Sequence, residues 1–175
     1  MSLKIGPTLF IVALFLIFGL AFALFSEKYF HVDPCSMCYT QRDLYKLAIL
    51  CCLISAFFVR TFNLIKYIAL ISVLMALLYS FYHVGVEQKW WPGPKTCQSH
   101  ESTLNINNLS EEDALKQLEG HLEKKKFVPC DQITWRIFSI PATIWDTLYL
   151  LFLFTLTLIA CFSCQQKAYK QLFRR

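Results

Sequence analysis

Eight cysteines are the residues of this chain with the most chemistry in them: Cys35, Cys38, Cys51, Cys52, Cys97, Cys130, Cys161 and Cys164. Two pairs, Cys35/Cys38 and Cys161/Cys164, have the C-x-x-C spacing that serves both thiol–disulfide exchange and zinc ligation. Thiolate, not thiol, does either job. The compartment and the local electrostatics of each sulfur therefore decide what it can do. Arg42 lies four residues after Cys38, on the same face of any helix that carries both, where a guanidinium can stabilise a thiolate or a reduced acceptor's oxygen.

The elements that position these sulfurs are apolar. Of the 175 residues, 56% are hydrophobic and 16% aromatic, and the mean hydropathy is positive. A soluble domain of this length is about 45–50% apolar. The excess is gathered into four blocks, about residues 7–25, 44–59, 67–82 and 142–162. A helix rises about 1.5 Å per residue against a hydrocarbon layer of about 30 Å. The first and last blocks cross easily, while the second and third need flanking residues such as Tyr39 to Asp43. The expectation is one all-α membrane domain over residues 1–175, a bundle of four transmembrane helices with a cysteine-bearing outer loop at about 84–140. The first block is longer than the h-region of a cleaved signal peptide, about 7–15 residues, so it is read as a span.

Short-loop cations set the orientation. Lys4, the Arg60–Lys66 turn, and Lys167, Lys170, Arg174 and Arg175 in the tail place both termini inside. The net charge of +5 is thereby accounted for, and no basic stripe with interleaved aromatics suggests nucleic acid. Counting spans then sorts the cysteines. Cys35 and Cys38 follow one span, and Cys97 and Cys130 follow three, so all four face outward, where disulfides persist. Cys161 and Cys164 face the reducing side, and the membrane keeps the two C-x-x-C pairs from sharing one zinc. A metal site is not expected.

Equal spacing does not make the two pairs equivalent. Pro34 precedes Cys35, and the second helix opens around Cys38, so both thiols meet the free N–H groups and dipole of a helix N-terminus. Cys38, with Arg42 one turn on, is expected to be the thiolate. Cys161 and Cys164 sit near a helix C-terminus, where the dipole disfavours an anion. With Cys51 and Cys52 they read as small apolar packing residues. Within the outer loop, Ser110 to Asp113 resembles a capping box opening a helix with Leu115, Leu118 and Leu122 on one side. His83 falls near the outer end of the third span. Trp90, Trp91, Trp135 and Trp145 fit an interfacial aromatic belt.

The run Pro34-Cys35-Ser36-Met37-Cys38-Tyr39-Thr40-Gln41-Arg42 resembles the active-site signature of the bacterial disulfide bond formation protein B (DsbB) family. The resemblance continues through His83-Val84-Gly85-Val86-Glu87, Gly93-Pro94-Lys95-Thr96-Cys97, Cys130-Asp131, Trp135 and Trp145. It departs at Met37, where the family commonly has Leu, and at Ser139, where it commonly has Gly. The resemblance implies an inner-membrane oxidoreductase that re-oxidises a periplasmic DsbA-like thioredoxin-fold partner and passes the electrons to a quinone, ubiquinone or menaquinone. It implies catalytic roles for Cys35, Cys38, Cys97 and Cys130 and a quinone-side role for Arg42 and His83. A bridge between Cys97 and Cys130 is likewise implied by the resemblance, since four cysteines alone allow three connectivities. The vitamin K epoxide reductase-like enzymes place the shuttle cysteines before the quinone-facing pair, the reverse of the order here. A non-enzymatic alternative is a membrane scaffold or receptor whose loop is stapled by inert disulfides.

Overall fold

A computed structural model describes residues 5–58, 64–94, 97, 128–131, 133 and 135–172, with side chains in the last helix described as far as Phe162. The amphipathic segment expected around Ser110 to Leu122, and Cys164, lie outside the described residues or side chains. The described chain runs α1 (Ile5–Phe30), α2 (Ser36–Phe58), α3 (Ile65–Glu87), β1 (Arg136–Ile137), β2 (Ile140–Pro141) and α4 (Ala142–Leu172). Each helix outruns its apolar block, because backbone hydrogen bonding does not stop where hydrocarbon ends. Three of the helices are long and apolar enough to cross a membrane: α1, α3, and α4 over Ala142–Phe162. The remaining one, α2, carries Arg42, Asp43 and Lys46 in its first half, which lowers its apolar character.

The helices pack as a ring, α1 on α2, α2 on α3, α3 on α4 and α4 back on α1. The pattern is that of a bundle in lipid. Large side chains point outward, as Phe18, Phe57, Ile71 and Phe152 do. The fully buried positions include Ala13, Ala48, Ala69, Ala76, Ser55 and Cys52. Small residues let helix backbones approach where no hydrophobic drive separates helix from lipid. Cys52 and Cys161 belong to this apolar cluster, in the packing role expected of them. Lys66, expected in the turn, is instead in the first turn of α3 and only 1% exposed, with its ammonium over the Tyr67 ring.

A second, smaller cluster sits at one end of the bundle, built from Cys35, Met37, Val86, Cys97 and Cys130 with Cys38, Tyr79, Trp91 and Val128 against it. The segment after α3 is folded back to reach it. The Trp90 backbone N–H bonds to the Gly85 carbonyl at 2.8 Å, and the Trp91 indole N–H donates to the Tyr82 carbonyl at 3.0 Å. That indole lies against Gly85, where any Cβ would overlap it. The two-residue antiparallel pair β1–β2 turns through Phe138 and Ser139, both with left-handed φ of 51° and 67°. Such a turn favours glycine or asparagine, which gives a backbone reason for the glycine that the resemblance places at Ser139.

Gly85→Ala is expected to destabilise the protein by about 1–3 kcal/mol through overpacking and to dislodge Trp91. Thermal unfolding in detergent, together with tryptophan emission, checks it. Unchanged melting and emission would mean that the indole does not rest on the α3 backbone.

Candidate active site

Cys35 is the residue on which α2 begins. Its carbonyl accepts the backbone N–H of Tyr39 at 3.4 Å, and its Sγ accepts the backbone N–H of Cys38 at 3.3 Å. This is the geometry of an N-cap, with sulfur in place of the usual hydroxyl or carboxylate oxygen. Proline just before the cap keeps the helix from extending backward. The two sulfurs of the pair are 3.0 Å apart and both are free thiols here. Cys35 is buried and Cys38 partly exposed.

His83, on the last turns of α3, is buried beside them, with Nε2 3.5 Å from Cys35 Sγ and Nδ1 3.1 Å from Gln41 Oε1. It contacts a side-chain amide, not the backbone carbonyl that a histidine at an interface would ordinarily find. The electrostatic result differs from the sequence expectation. The surroundings favour an anion at Cys35 more than at Cys38, since Cys35 Sγ is the sulfur that receives the capping N–H. Its pKa is lowered to about 4, first by the hydrogen bond it accepts from the Cys38 thiol, then, against the cost of burial, by His83. Cys38 is pushed up from the ordinary thiol range, first by donating that same bond and then by burial, with Arg42 pulling the other way. The sequence reading credited the helix terminus to both sulfurs alike, whereas the cap bond goes to the residue before the helix.

Cys97 and Cys130 are bridged by a disulfide. Ser36 stands between this bridge and the free pair, its Oγ 3.2 Å from Cys97 Sγ and 3.5 Å from Cys130 Sγ. All four cysteines expected to carry the chemistry are thus in one cluster, and Ser36, given no role of its own in the sequence reading, touches both sulfurs of the bridge. A cleft of about 370 Å³, lined by Val86, Lys89, Trp90, Trp91, Pro92, Gly93, Cys97 and Asp131, opens beside Cys97. Arg42 is drawn toward α1, with Nη1 2.5 Å from Glu27 Oε2 and the guanidinium 5.6 Å from the centre of the Tyr39 ring.

Several polar side chains here escaped the sequence reading. Asp146, on α4, accepts hydrogen bonds from Gln41 Nε2, from Tyr45 Oη at 2.6 Å and from Ser80 Oγ at 2.8 Å. Thr143 donates to Glu87. A carboxylate inside an apolar block is itself a signal of function, and Asp146 gave that signal. Donor atoms of Cys35, Cys38 and His83 all lie within 4.8 Å of one another. Among the described residues they lack the fourth protein ligand of a structural zinc site.

The family model for disulfide bond formation protein DsbB matches residues 6–160, and the chain belongs to that family. No curated protein and no solved structure matches it. The chain is therefore a multi-pass membrane protein with thiol–disulfide oxidoreductase chemistry in disulfide bond formation.

Alkylation of Cys35 in the reduced protein is expected to stay fast through the neutral range and to slow only as pH falls through about 4. His83→Ala should shift that fall upward. Mass-spectrometric mapping of iodoacetamide labelling against pH checks both. Cys38 reacting first would reverse the assignment.

Proposed function

We propose that this protein re-oxidises a DsbA-like thioredoxin-fold partner and passes the electrons to a membrane quinone. In this reading four helices span the inner membrane, both termini are cytoplasmic, and Cys35, Cys38, Cys97 and Cys130 face the periplasm. The observation that carries it is the gathering of a bridged pair and a free pair around Ser36, with the bridged pair beside a cleft. A disulfide staple needs no such second pair.

The relay follows from exchange chemistry, in which a thiolate attacks a disulfide sulfur and a thiolate leaves. The partner's thiolate attacks Cys97, the sulfur-bearing residue of the cleft. Cys130 leaves and attacks Cys35 of the inner disulfide, and Cys38 leaves in turn. Cys35 suits the middle position because the capping N–H and His83 stabilise it as an anion, and a stabilised anion leaves quickly when the outer bridge re-forms. While Cys35 is engaged with Cys130, Cys38 no longer faces an anionic neighbour, and the attraction of Arg42 has only the cost of burial to offset. Cys38 is the electron donor.

The residues fit a quinone. Cys38 is partly exposed at the outer end of α2, next to the 41% exposed Tyr39, so a lipid-borne acceptor can approach it. When bound, a quinone supplies a sink for two electrons and two protons. Arg42 would face its oxygen, and the Glu27 pairing holds that guanidinium at the lipid-facing end.

Cys38→Ser is expected to abolish quinone reduction by the reduced partner while leaving the Cys97–Cys130 bridge intact. Turnover equal to wild type would end the reading. Thiol trapping in cells with respiration blocked separates it from the inert scaffold. A relay accumulates reduced cysteines, whereas structural bridges, with potentials below about −300 mV, stay oxidised.

A further inference from the structure

The polar contacts around His83 have a direction that can be read donor by donor. Gln41 Nε2 lies between two oxygens, Ser80 Oγ at 3.3 Å and Asp146 Oδ2. An amide flipped the other way would set its oxygen against the Asp146 carboxyl oxygen and against a Ser80 hydroxyl whose proton already goes to Asp146, so the amide nitrogen is the atom that faces them. Its Oε1 then faces His83 Nδ1 and can only accept. Nδ1 therefore carries a proton, and in the neutral ring the free lone pair is on Nε2, 3.5 Å from Cys35 Sγ. Tyr45 and Ser80 hold the carboxylate in place from α2 and α3.

We propose that Asp146 is a positioning residue: through Gln41 it fixes the tautomer of His83, so that Nε2 faces Cys35 as the atom that takes its proton. The arrangement is an acid–amide–imidazole–thiol chain, with Gln41 interposed where hydrolytic triads join acid to imidazole directly. It rests on the relay reading for its purpose, not for its geometry. Two electrons entering the Cys35–Cys38 disulfide break the S–S bond and leave two sulfur anions. Cys38 takes one proton, and the other is held on Nε2 as imidazolium beside the Cys35 thiolate. When the disulfide re-forms, both electrons and both protons pass to an acceptor of the quinone class. Other charged groups face this pair as well: Glu87 from α3 with Arg136 of β1 near it, and Arg42 from α2 acting on Cys38. Among the described residues, the hydrogen-bond contact of His83 Nδ1 is Gln41.

The test is a double-mutant cycle on the pH dependence of Cys35 alkylation in the reduced full chain. Asp146→Ala is expected to raise the midpoint by about one pH unit, a tenfold loss of thiolate on the acid side. Gln41→Ala should do the same, and Asp146→Ala should add nothing in the Gln41→Ala background, since groups acting through one link are not additive. Additive shifts, or no shift from Asp146→Ala, would overturn the proposal. If Asp146→Ala does not fold, Asp146→Asn carries the same cycle, with a smaller shift that also vanishes without Gln41. Alkylation needs no quinone. A protein that reduces no quinone yet shows the coupling would sink the relay and leave this assignment standing.

Discussion

The site depends on one unsatisfied group, a free amide in the first turn of α2. Every helix starts with N–H groups that have no partner within it, and here a cysteine sulfur serves as one acceptor. Sulfur is a poor acceptor as a thiol and a good one as a thiolate, so capping and ionisation reinforce each other. The anion in turn orders its neighbours: Cys38 donates to it and His83 closes over it. A helix dipole contributes about 0.3–1 kcal/mol at an exposed surface and up to about 2 kcal/mol in partly buried settings. The burial of Cys35 puts this cap toward the upper end.

The bundle exists to hold that helix start against α3 and the returning loop. Small residues at the helix contacts bring α2 and α3 close enough for His83 to reach Cys35. Gly85 leaves room for the Trp91 indole, which lays the segment after α3 back over its own helix. That fold-back sets Gly93 beside Val86 and the Cys97 Cβ, so the outer bridge meets Ser36. Each step is a matter of available volume.

Much of this was legible in the residues. Four long helices followed from four apolar blocks, since apolar length is what lipid demands. The four cysteines that share a cluster were those on the odd side of the span count. The boundaries were less legible. Helices α1 and α4 run beyond their apolar blocks, and Lys66 lies buried in a helix instead of a turn, because a capped helix continues into the interface as long as its backbone bonds are met. The sequence reading placed both sulfurs at the helix start alike, since spacing cannot say which of them receives the capping N–H, and that one is Cys35. Ser36 and Gln41 stood in the signature run and Glu27 outside it, but none of their partners could be read there, because those contacts run between separate elements. Asp146 was different: an acidic residue in an apolar run announces itself, and its partners Gln41 and Tyr45 lie at helical spacing on α2.

Charge accounting explains why so polar a centre can stand at the edge of lipid. A lone anion moved to low dielectric is expensive, and a paired one much less so. Glu27 is matched by Arg42, and Cys35 Sγ lies against the His83 ring. Asp146 receives three hydrogen-bond donors. Electrons entering the inner disulfide without protons would add two uncompensated negative charges at this place. On the proposed relay, proton uptake at Cys38 and His83 removes that imbalance as it forms. A dithiol at the rim of a bilayer therefore needs a base at hand, and the proposal gives that place to the imidazole between Cys35 and Gln41, whose orientation the amide on its far side sets.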